Sequence, residues 1–383
     1  MKVAFLTPEY PHPKTGSSGG IGTSIKNLAI GLLAEGCSVR VLVYGQNQEG
    51  VFDDDGICIQ QIRNVKLKGL SWYFTRKKLQ RIINTLHQQK VIDLVEAPDW
   101  TGITSFIIPK KCPLVIRLNG SDTYFCHLDQ RPVKWKNKFH ERRALQQADG
   151  LLSVSQFTAD LTNQVFGLDK KFTIIPNSIN CTTFEVEHQN TTLLPTVLYF
   201  GTLIRKKGLL ELPLIFNEVI KKKSNVKLVL IGRDASDIIS GIDSTWQLMQ
   251  ELFSSEAINN VTYLGSVPYS EIKKAIEQAN VCVFPTFAEA LPVSWLEAMA
   301  LKKPIVASNI GWATEVLDDG ISGFLEHPTQ HKAYANKIIS LLENLNLQSE
   351  FGIQARKKVE EKFSISIVAK QSLLFYKNVI ASK

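Results

Sequence analysis

Short apolar runs alternate along the chain with stretches of helical periodicity. In the first half the apolar runs are typical of buried strands, and they lie at 2–6, 39–44, 94–95, 114–118, 151–154 and 172–175. Amphipathic stretches at 23–35 and 78–88, and another from about residue 155, fall between them. This alternation predicts a parallel sheet with crossover helices.

The same rhythm restarts after a polar, threonine-rich segment at 181–195, which lacks periodicity and is predicted to be a linker. Further strands are predicted at 197–200, 227–231, 261–264, 281–285 and 305–307. Further helices are predicted at 208–222, 245–253, 270–278 and 293–302.

We therefore expect an α/β fold with two doubly wound domains, at 1–180 and 193–363, and a final helix within 364–383. A length of 383 residues agrees with two domains, since single hydrophobic cores stop growing at about 250 to 300 residues. Open parallel sheets bind ligands at the carboxyl ends of their strands, so the chemistry is expected in the loops after strands. The final helix carries an apolar stripe of Ile367, Leu373, Leu374 and Tyr376.

Composition indicates a globular protein, with 44% hydrophobic and 21% charged residues. The first apolar run ends at Pro8 and Glu9, which is too short for a signal peptide. No stretch approaches the roughly 18 apolar residues of a membrane-spanning helix. The six cysteines are scattered without a Cys-x-x-Cys pair, so we expect a cytoplasmic protein without a disulfide framework or zinc cluster.

Positive charge is concentrated in the first half of the chain. Residues 63–143 contain 17 Lys and Arg against 6 Asp and Glu, interleaved with Trp72, Tyr73, Phe74 and Trp135. Such a patch can bind anionic lipid or nucleic acid, or it can be a solvated helix face. Of these partners we expect an anionic membrane surface, on the inner face, and no nucleic acid.

The segment 284–300 runs from a strand through a loop into a helix and carries two carboxylates eight positions apart. Proline is tolerated in a first helical turn, so Glu289 is predicted in the loop and Glu297 about one turn inside the helix. One carboxylate can serve a sugar hydroxyl and the other a ribose diol. The helix N-terminus offers backbone N–H groups to a phosphate, near Leu291, Pro292 and Val293.

A glycine-rich element, Gly19-Gly20-Ile21-Gly22, follows the first predicted strand and precedes a helix predicted from Thr23. Its backbone can approach a diphosphate or a sugar closely at Gly20 and Gly22. A nicotinamide-binding fingerprint is the alternative, but the spacing is not Gly-x-Gly-x-x-Gly, and no acidic residue ends the strand at 39–44. A dehydrogenase is therefore disfavoured.

Together these elements resemble the glycosyltransferases of family 4, the retaining group 1 enzymes with the GT-B fold. The resemblance extends to Leu296-Glu297-Ala298-Met299-Ala300, Lys303-Pro304-Ile305-Val306, Ile175-Pro176-Asn177-Ser178 and the loop 201–208, in the family's order. It covers essentially the whole chain. It implies two Rossmann-like domains facing a central cleft, an acceptor-binding first domain, a nucleotide-sugar-binding second domain, and a last helix that crosses back onto the first.

The resemblance also implies how the diphosphate is held. In the family a lysine and an arginine of the loop 201–208 clamp it. Lys207 matches the lysine, but Thr202 stands at the arginine position. Either Arg205 or Lys206 compensates, or the diphosphate is held less tightly.

Asn119 stands where the family commonly has a histidine near the donor sugar. It can hydrogen-bond a hydroxyl or phosphate oxygen but cannot move a proton, and an Asn-Gly turn capping a helix is the alternative. No residue is assigned as a general base. The predicted catalytic residues are Glu289, Lys207 and Arg205; the predicted donor-binding residues are Gly20, Gly22, Asn119, Gly201, Thr202, Leu291, Pro292, Val293 and Glu297.

The segment Asp53-Asp54-Asp55-Gly56 has the Asp-x-Asp spacing with which transferases of another fold hold manganese. It lies between two extended runs, so a hairpin turn is the better interpretation. We expect neither a catalytic metal nor any other cofactor. The expected donor is a nucleotide-sugar, UDP-linked in preference to GDP-linked, and the expected acceptor is a glycan or lipid-linked glycan.

Two other function classes fit the same sequence. One is a nucleotide-sugar-binding protein that has lost catalysis, which the departures at Thr202 and Asn119 would support. The other is a sugar phosphorylase of similar architecture, which would hold pyridoxal phosphate on a lysine.

Overall fold

The computed structural model describes residues 1–16, 18–184 and 194–383. The described chain forms two compact units. Unit 1 contains Met1–Ile179 and Phe363–Lys383, and unit 2 contains Asn180–Lys362. Of the predicted linker, residues 185–193 lie outside the described residues.

An eight-stranded sheet forms the centre of unit 1. Its strands are β1 Lys2–Thr7, β2 Ser38–Gln46, β3 Gly50–Asp54, β4 Ile57–Arg63, β5 Leu94–Pro98, β6 Leu114–Leu118, β7 Gly150–Ser153 and β8 Thr173–Ile174. Their order is β3-β4-β2-β1-β5-β6-β7-β8. The pairs are parallel except for β3 with β4. Strands β5 and β6 are buried at every position, as expected for strands covered on both faces.

The helices of unit 1 before residue 170 are α1 Gly20–Ala34, α2 Ser71–Gln88, α3 Asp122–Leu128, α4 Trp135–Gln147 and α5 Gln156–Phe166. The predictions for α1 and α2 start too late, at 23 and 78. The sequence pattern does not predict α3 or α4. Helix α4 buries only three side chains, Glu141, Ala144 and Leu145, so its apolar stripe is too thin to show a helical period.

The acidic segment 53–56 forms the predicted hairpin turn. Strands β3 and β4 pair in antiparallel register, and Asp55 and Gly56 at the tip have φ of 53° and 86°, as a two-residue turn requires. The Asp53 carboxylate accepts the Gly56 N–H at 2.9 Å, and Asp54 accepts the Tyr10 hydroxyl at 2.6 Å. Local and tertiary hydrogen bonds thus account for Asp53 and Asp54, and the turn conformation accounts for Asp55.

Unit 2 is built on a fully parallel six-stranded sheet. Its strands are β9 Thr196–Phe200, β10 Lys227–Ile231, β11 Val261–Tyr263, β12 Val281–Phe284, β13 Ile305–Ser308 and β14 Phe324–Glu326, in the order β11-β10-β9-β12-β13-β14. Its helices are α6 Leu212–Lys222, α7 Thr245–Leu252, α8 Ser255–Ile258, α9 Tyr269–Gln278, α10 Val293–Ala300, α11 Ala313–Val316, α12 His331–Glu343 and α13 Leu345–Lys358. The helix predicted at 208–222 is α6, but the prediction starts four residues too early, because a 3₁₀ turn at Arg205–Lys207 and a further turn precede α6.

The last helix, α14 Ile365–Ser382, belongs to unit 1 and packs on α1. The predicted apolar stripe is partly wrong, since Leu374 is exposed, and the buried face is Val368, Ala369, Ser372, Tyr376 and Val379. Small residues allow a close approach: a Cβ at Gly31 of α1 would lie 2.7 Å from the Ile365 carbonyl oxygen. Within the described residues no helix, α2 and α14 included, is long and apolar enough to cross a bilayer.

Candidate active site

Two loops of unit 2 meet at the carboxyl ends of its central strands. Strands β9 and β12 are neighbours in the parallel sheet, so the loops 201–208 and 285–292 emerge side by side. The carbonyl oxygen of Lys206 accepts the Phe287 N–H at 2.9 Å. A Cβ at Gly208, where φ is +71°, would lie 1.7 Å from a carbonyl oxygen of the second loop. Glycine is therefore required there by both conformation and close approach.

Lys207 and Glu289, one from each loop, form an ion pair. Lys207 Nζ lies 3.0 Å from Glu289 Oε1, and their side chains keep 24% and 17% of their surface exposed. Burial lowers the pKa of Lys207, but the paired Glu289 carboxylate raises it more, so the pKa lies above its usual value. A Cβ at Gly201 would lie 3.5 Å from Lys207 Nζ. The glycine leaves space beside a permanent cation.

Glu297 lies one turn into α10 and is 6% exposed. Its Oε1 accepts the Tyr269 hydroxyl, from the start of α9, at 2.5 Å. Burial raises the pKa of Glu297 to about 7, although the Tyr269 hydrogen bond and the Lys207 charge oppose the rise. The carboxyl group therefore changes its charge near neutral pH.

The N-terminus of α10 borders the same recess, which is lined by Lys207, Thr286, Glu289, Pro292 and Ser294 among others. Pro292 is the N-cap residue and has extended backbone angles. Since proline has no side-chain acceptor, it cannot cap the first-turn N–H groups. The predicted residues Leu291, Pro292 and Val293 thus stand at a helix end whose partial positive charge suits a phosphate.

The structure places Arg205 against Asp237. Arg205 Nε and Nη2 each donate to a separate carboxylate oxygen at 2.7 Å, and this pairing lowers the pKa of the buried Asp237. At the family's arginine position, the carbonyl oxygen of Thr202 accepts the Tyr199 hydroxyl at 3.0 Å. The phosphate-binding role of Arg205 stays a prediction, and it requires the guanidinium to share or leave Asp237.

In unit 1, Gly20 and Gly22 lie in the first turn of α1, whose N-cap is Gly19. The Gly22 N–H donates to Glu9 Oε1 at 2.9 Å, so a side-chain carboxylate already sits at this helix N-terminus. A Cβ at Gly22 would lie 3.1 Å from the Glu9 carbonyl oxygen, whereas one at Gly20 would meet nothing within 4 Å. Packing explains Gly22 but not Gly20.

Asn119 follows β6, next to Asp99 at the end of β5. The Asn119 N–H donates to Asp99 Oδ1 at 2.9 Å, and Asn119 Nδ2 donates to the Arg117 carbonyl oxygen at 3.3 Å. The helix-capping alternative for Asn119 was wrong, because Ser121 is the residue that caps α3. Gly120, with φ of 89°, supplies the turn between them.

Three residues at these sites escaped sequence reasoning. Asp99 is 2% exposed, its Oδ2 has no hydrogen-bond partner among the described residues, and burial raises its pKa to about 7. The predicted strand at 94–95 stops short of Pro98, where β5 ends. A prediction that reached Pro98 would have placed Asp99 in a loop after a strand and so among the candidate site residues. Tyr269 and Glu9 gave no sequence signal, because their partners lie 28 and 13 positions away.

The arrangement in unit 2 can bind a phosphorylated, hydroxyl-rich ligand. Lys207 and a helix N-terminus supply positive potential, and Glu289 and Glu297 supply hydrogen-bond acceptors. In the described parts of the chain no group of three His, Cys, Asp or Glu side chains could hold a metal ion.

Two sequence profiles match the chain and show the family to which it belongs. The profile described as Glycosyltransferase Family 4 matches residues 18–183, and the profile described as Glycosyl transferases group 1 matches residues 183–358. The chain belongs to the group 1, family 4 glycosyltransferases. This glycosyltransferase therefore has the predicted fold, and its enzyme class is transfer of glycosyl groups.

Individual relatives agree with the family. The glycosyltransferase is 26% identical over 418 residues to alpha-maltose-1-phosphate synthase of Mycolicibacterium smegmatis, covering 100% of both chains. It is 32% identical over 170 residues to the capsular polysaccharide biosynthesis glycosyltransferase CapM of Staphylococcus aureus, covering 44% and 42% of the two chains.

Solved structures agree in fold. Sucrose-phosphate synthase from Thermosynechococcus elongatus superimposes with a TM-score of 0.80 at 20% identity, and Anabaena HepE in complex with UDP-glucose with 0.72 at 19% identity. Both alignments cover 100% of both chains.

Proposed function

We propose that this glycosyltransferase moves a hexose-type sugar from a nucleoside diphosphate sugar to a glycan or lipid-linked glycan, with retention of anomeric configuration. The observation that carries the proposal is the partly exposed Lys207–Glu289 ion pair beside Glu297 and the α10 N-terminus. A UDP-sugar is the favoured donor and a GDP-sugar the second candidate. UDP-glucose in the Anabaena structure supports the first.

The proposed chemistry breaks the bond between the anomeric carbon and the diphosphate oxygen while the acceptor oxygen bonds to that carbon on the same face. The acceptor's proton passes to the leaving phosphate, so no protein base is assigned. Lys207, the α10 N-terminus and either Arg205 or Lys206 stabilise the charge that grows on the diphosphate, an effect that is strongest in a preorganised site. Glu289 orients the sugar hydroxyls.

The remaining predicted residues have proposed binding roles. Glu297 accepts hydrogen bonds from the ribose diol, and Gly201 and Thr202 line the diphosphate. In unit 1, which we assign to the acceptor, Asn119 hydrogen-bonds a sugar hydroxyl or phosphate oxygen. Gly20 and Gly22 bring backbone close to the ligand. The Gly22 N–H can bind the ligand only if its hydrogen bond to the Glu9 carboxylate breaks.

The proposed acceptor belongs to cell-surface polysaccharide or glycolipid synthesis. The name of the Staphylococcus relative supports this assignment. A lipid-linked acceptor would bring a cytoplasmic enzyme to the anionic inner face of a membrane. The proposal includes neither a resident metal nor pyridoxal phosphate.

A panel of UDP- and GDP-sugars tests the proposal. Each is incubated with the protein without acceptor, and released nucleoside diphosphate and equilibrium binding are measured. We expect slow hydrolysis of one donor, which Lys207→Ala abolishes. Lys223→Ala is the control, because Lys223 has a similar exposure of 26% and pairs with Glu343 on the surface of the same unit.

Other results would select a different function. Binding of a donor without hydrolysis, and without transfer to any glycan or lipid-linked acceptor, would indicate the noncatalytic nucleotide-sugar-binding protein. Absorbance of the purified protein in the pyridoxal phosphate band would indicate the phosphorylase. Equal hydrolysis by Lys207→Ala and Lys223→Ala would show that the Lys207 site does not carry the reaction.

A further inference from the structure

Exposed apolar side chains of unit 1 gather at the N-terminal ends of α2 and α4. Each of the following is 41% to 71% exposed: Leu67, Leu70, Trp72, Phe74, Trp135 and Phe139. Together with Lys66, Lys68, Lys134 and Lys136, which are also exposed, these residues are named the aromatic-basic face. Single exposed apolar residues are ordinary on proteins, but a contiguous group indicates an interaction site.

Ring contacts show that the two helices share one surface. The Trp72 ring lies 5.8 Å from Phe106 and 5.2 Å from His140, and Phe106 lies 6.4 Å from Phe139. Trp135 is one helical turn before Phe139 on α4, so both point to the same side of the helix. The exposed rings of α2 and α4 therefore form one continuous face.

A cation stands over one of these rings. Lys136 Nζ lies 5.9 Å from the Trp135 ring centre, and both side chains are exposed. Such a position combines apolar contact area with a charge that still faces water. The face can thus contact an apolar layer and an anionic layer at the same time.

The surface is more basic than the sequence count suggests. Of the six acidic residues in 63–143, Glu96, Asp99 and Glu141 are only 1% to 3% exposed. Asp122 and Asp129 both pair with Arg131. Acidic side chains thus offset few of the seventeen cations of this segment.

We propose that the aromatic-basic face docks the protein on an anionic lipid bilayer. The indole and phenyl rings would lie at the headgroup level, where aromatic side chains are enriched, and the lysines would meet anionic headgroups. The exposed Leu67 and Leu70 favour lipid over nucleic acid, because aliphatic chains gain from an acyl boundary and nothing from phosphate or base edges. Docking of this kind would serve the proposed lipid-linked acceptor, but it is observable without turnover.

Co-sedimentation of the full chain with vesicles tests the proposal. Phosphatidylglycerol–phosphatidylcholine vesicles are compared with pure phosphatidylcholine at low and high salt. We expect binding to the anionic vesicles alone, and a clear loss at high salt because ions screen exposed charges.

Paired variants separate charge from apolar contact. Lys134→Gln/Lys136→Gln should bind about 30-fold more weakly, since each lysine near an anionic surface contributes about 1 kcal/mol. Trp135→Ser/Leu67→Ser should bind about 10-fold more weakly. The controls in unit 2, Lys221→Gln/Lys274→Gln and Ile238→Ser, also change exposed side chains and should bind like the wild type.

Several outcomes would overturn docking. These are equal binding to both vesicle types, binding to neither, or equal losses in face and control variants. Binding of a duplex oligonucleotide that only the face variants lose, without vesicle binding, would assign the face to nucleic acid. Donor hydrolysis is measured on the same variants, and because none of them changes the active site, failure of docking and failure of the transferase proposal remain distinguishable.

Discussion

Each unit buries a glutamate beside a cation and a tyrosine hydroxyl, but the two arrangements differ in how far their ion pairs reach solvent. In unit 1, Glu96 pairs with Arg117 at 2.8 Å and accepts the Tyr376 hydroxyl at 2.6 Å. Arg117 also donates to the Ile175 carbonyl oxygen at 2.9 Å and to Ser372 at 3.3 Å. Both charged side chains are 4% to 5% exposed, so the network is closed.

In unit 2 the glutamate, Glu297, is equally buried, but the ion pair beside it is open to solvent. Tyr269 donates a hydrogen bond to Glu297. Lys207 pairs with Glu289, so it balances the charge of Glu297 only from a distance. Lys207 and Glu289 keep about a fifth of their surface exposed. A buried charge is therefore not by itself a sign of function. A site is indicated where charged groups are held in place but still reach solvent.

Breaking the closed network should have the largest effect. Arg117→Ala leaves Glu96 buried without its counter-charge and removes a contact to α14, so we expect the free energy of unfolding to fall by about 3 to 5 kcal/mol. Urea unfolding measures it. The double variant Glu96→Leu/Arg117→Met is the control and should recover most of the loss, because it buries no unpaired charge. A fall below about 1 kcal/mol in Arg117→Ala would contradict the structural role.

Breaking the open pair should change activity and leave stability nearly intact. Lys207→Ala and Glu289→Ala should each raise the barrier to transfer by about 2.7 to 4 kcal/mol, or about 100- to 1000-fold in rate. Thermal unfolding should shift less than in Arg117→Ala, because both side chains keep about a fifth of their surface exposed. Steady-state kinetics with the donor identified in the panel, with Lys223→Ala as control, measure the rates. Near wild-type turnover in both variants would refute their assignment.

The titration of Glu297 should make the free energy of unfolding depend on pH. Its pKa is raised from 4.5 to about 7, so the folded state binds a proton more tightly than the unfolded state. The resulting stabilisation is complete below about pH 4.5 and is lost as pH rises through 7. Glu297→Gln lacks this dependence, so its stability relative to wild type should increase between pH 5 and 8, by up to about 3 kcal/mol.

Unfolding midpoints of both proteins across that range test this prediction. Glu343→Gln is the control, because Glu343 is exposed in the same unit. A stability difference between Glu297→Gln and wild type that is constant with pH would contradict the raised pKa. Donor binding by wild type should also weaken below pH 7, since a protonated carboxyl accepts fewer hydrogen bonds from a diol.

Local patterns explain why most strands could be predicted. Strand β12, for example, is buried at every position and is an unbroken apolar run. Helix α4 could not be predicted, because its buried face includes a glutamate. The extra residues at the end of β5 were missed for a related reason: Glu96 and Pro98 interrupt the apolar run, although Arg117 compensates the charge of Glu96.

The part of the candidate site that lies in one continuous segment could be predicted from the sequence. Glu289 and Glu297 follow from the loop-to-helix motif. The partners that decide its charges come from other elements: Tyr269 from α9, and Asp237, which holds Arg205, from the loop after β10. Such pairings depend on tertiary contacts, so sequence spacing does not reveal them. The burial of Asp99 beside Asn119 is a further example.

The anomeric configuration of the product is the most direct test of the proposed retaining transfer. In that reaction the acceptor's proton passes to the leaving phosphate, so an alpha-linked nucleotide-sugar should give an alpha product. Proton NMR reads this from the coupling constant at the new anomeric centre, when the C2 hydroxyl of the sugar is equatorial. A beta product would contradict retention and the role of Glu289. It would require a protein base, for which Asp99, the carboxylate beside Asn119, would then be the first residue to replace.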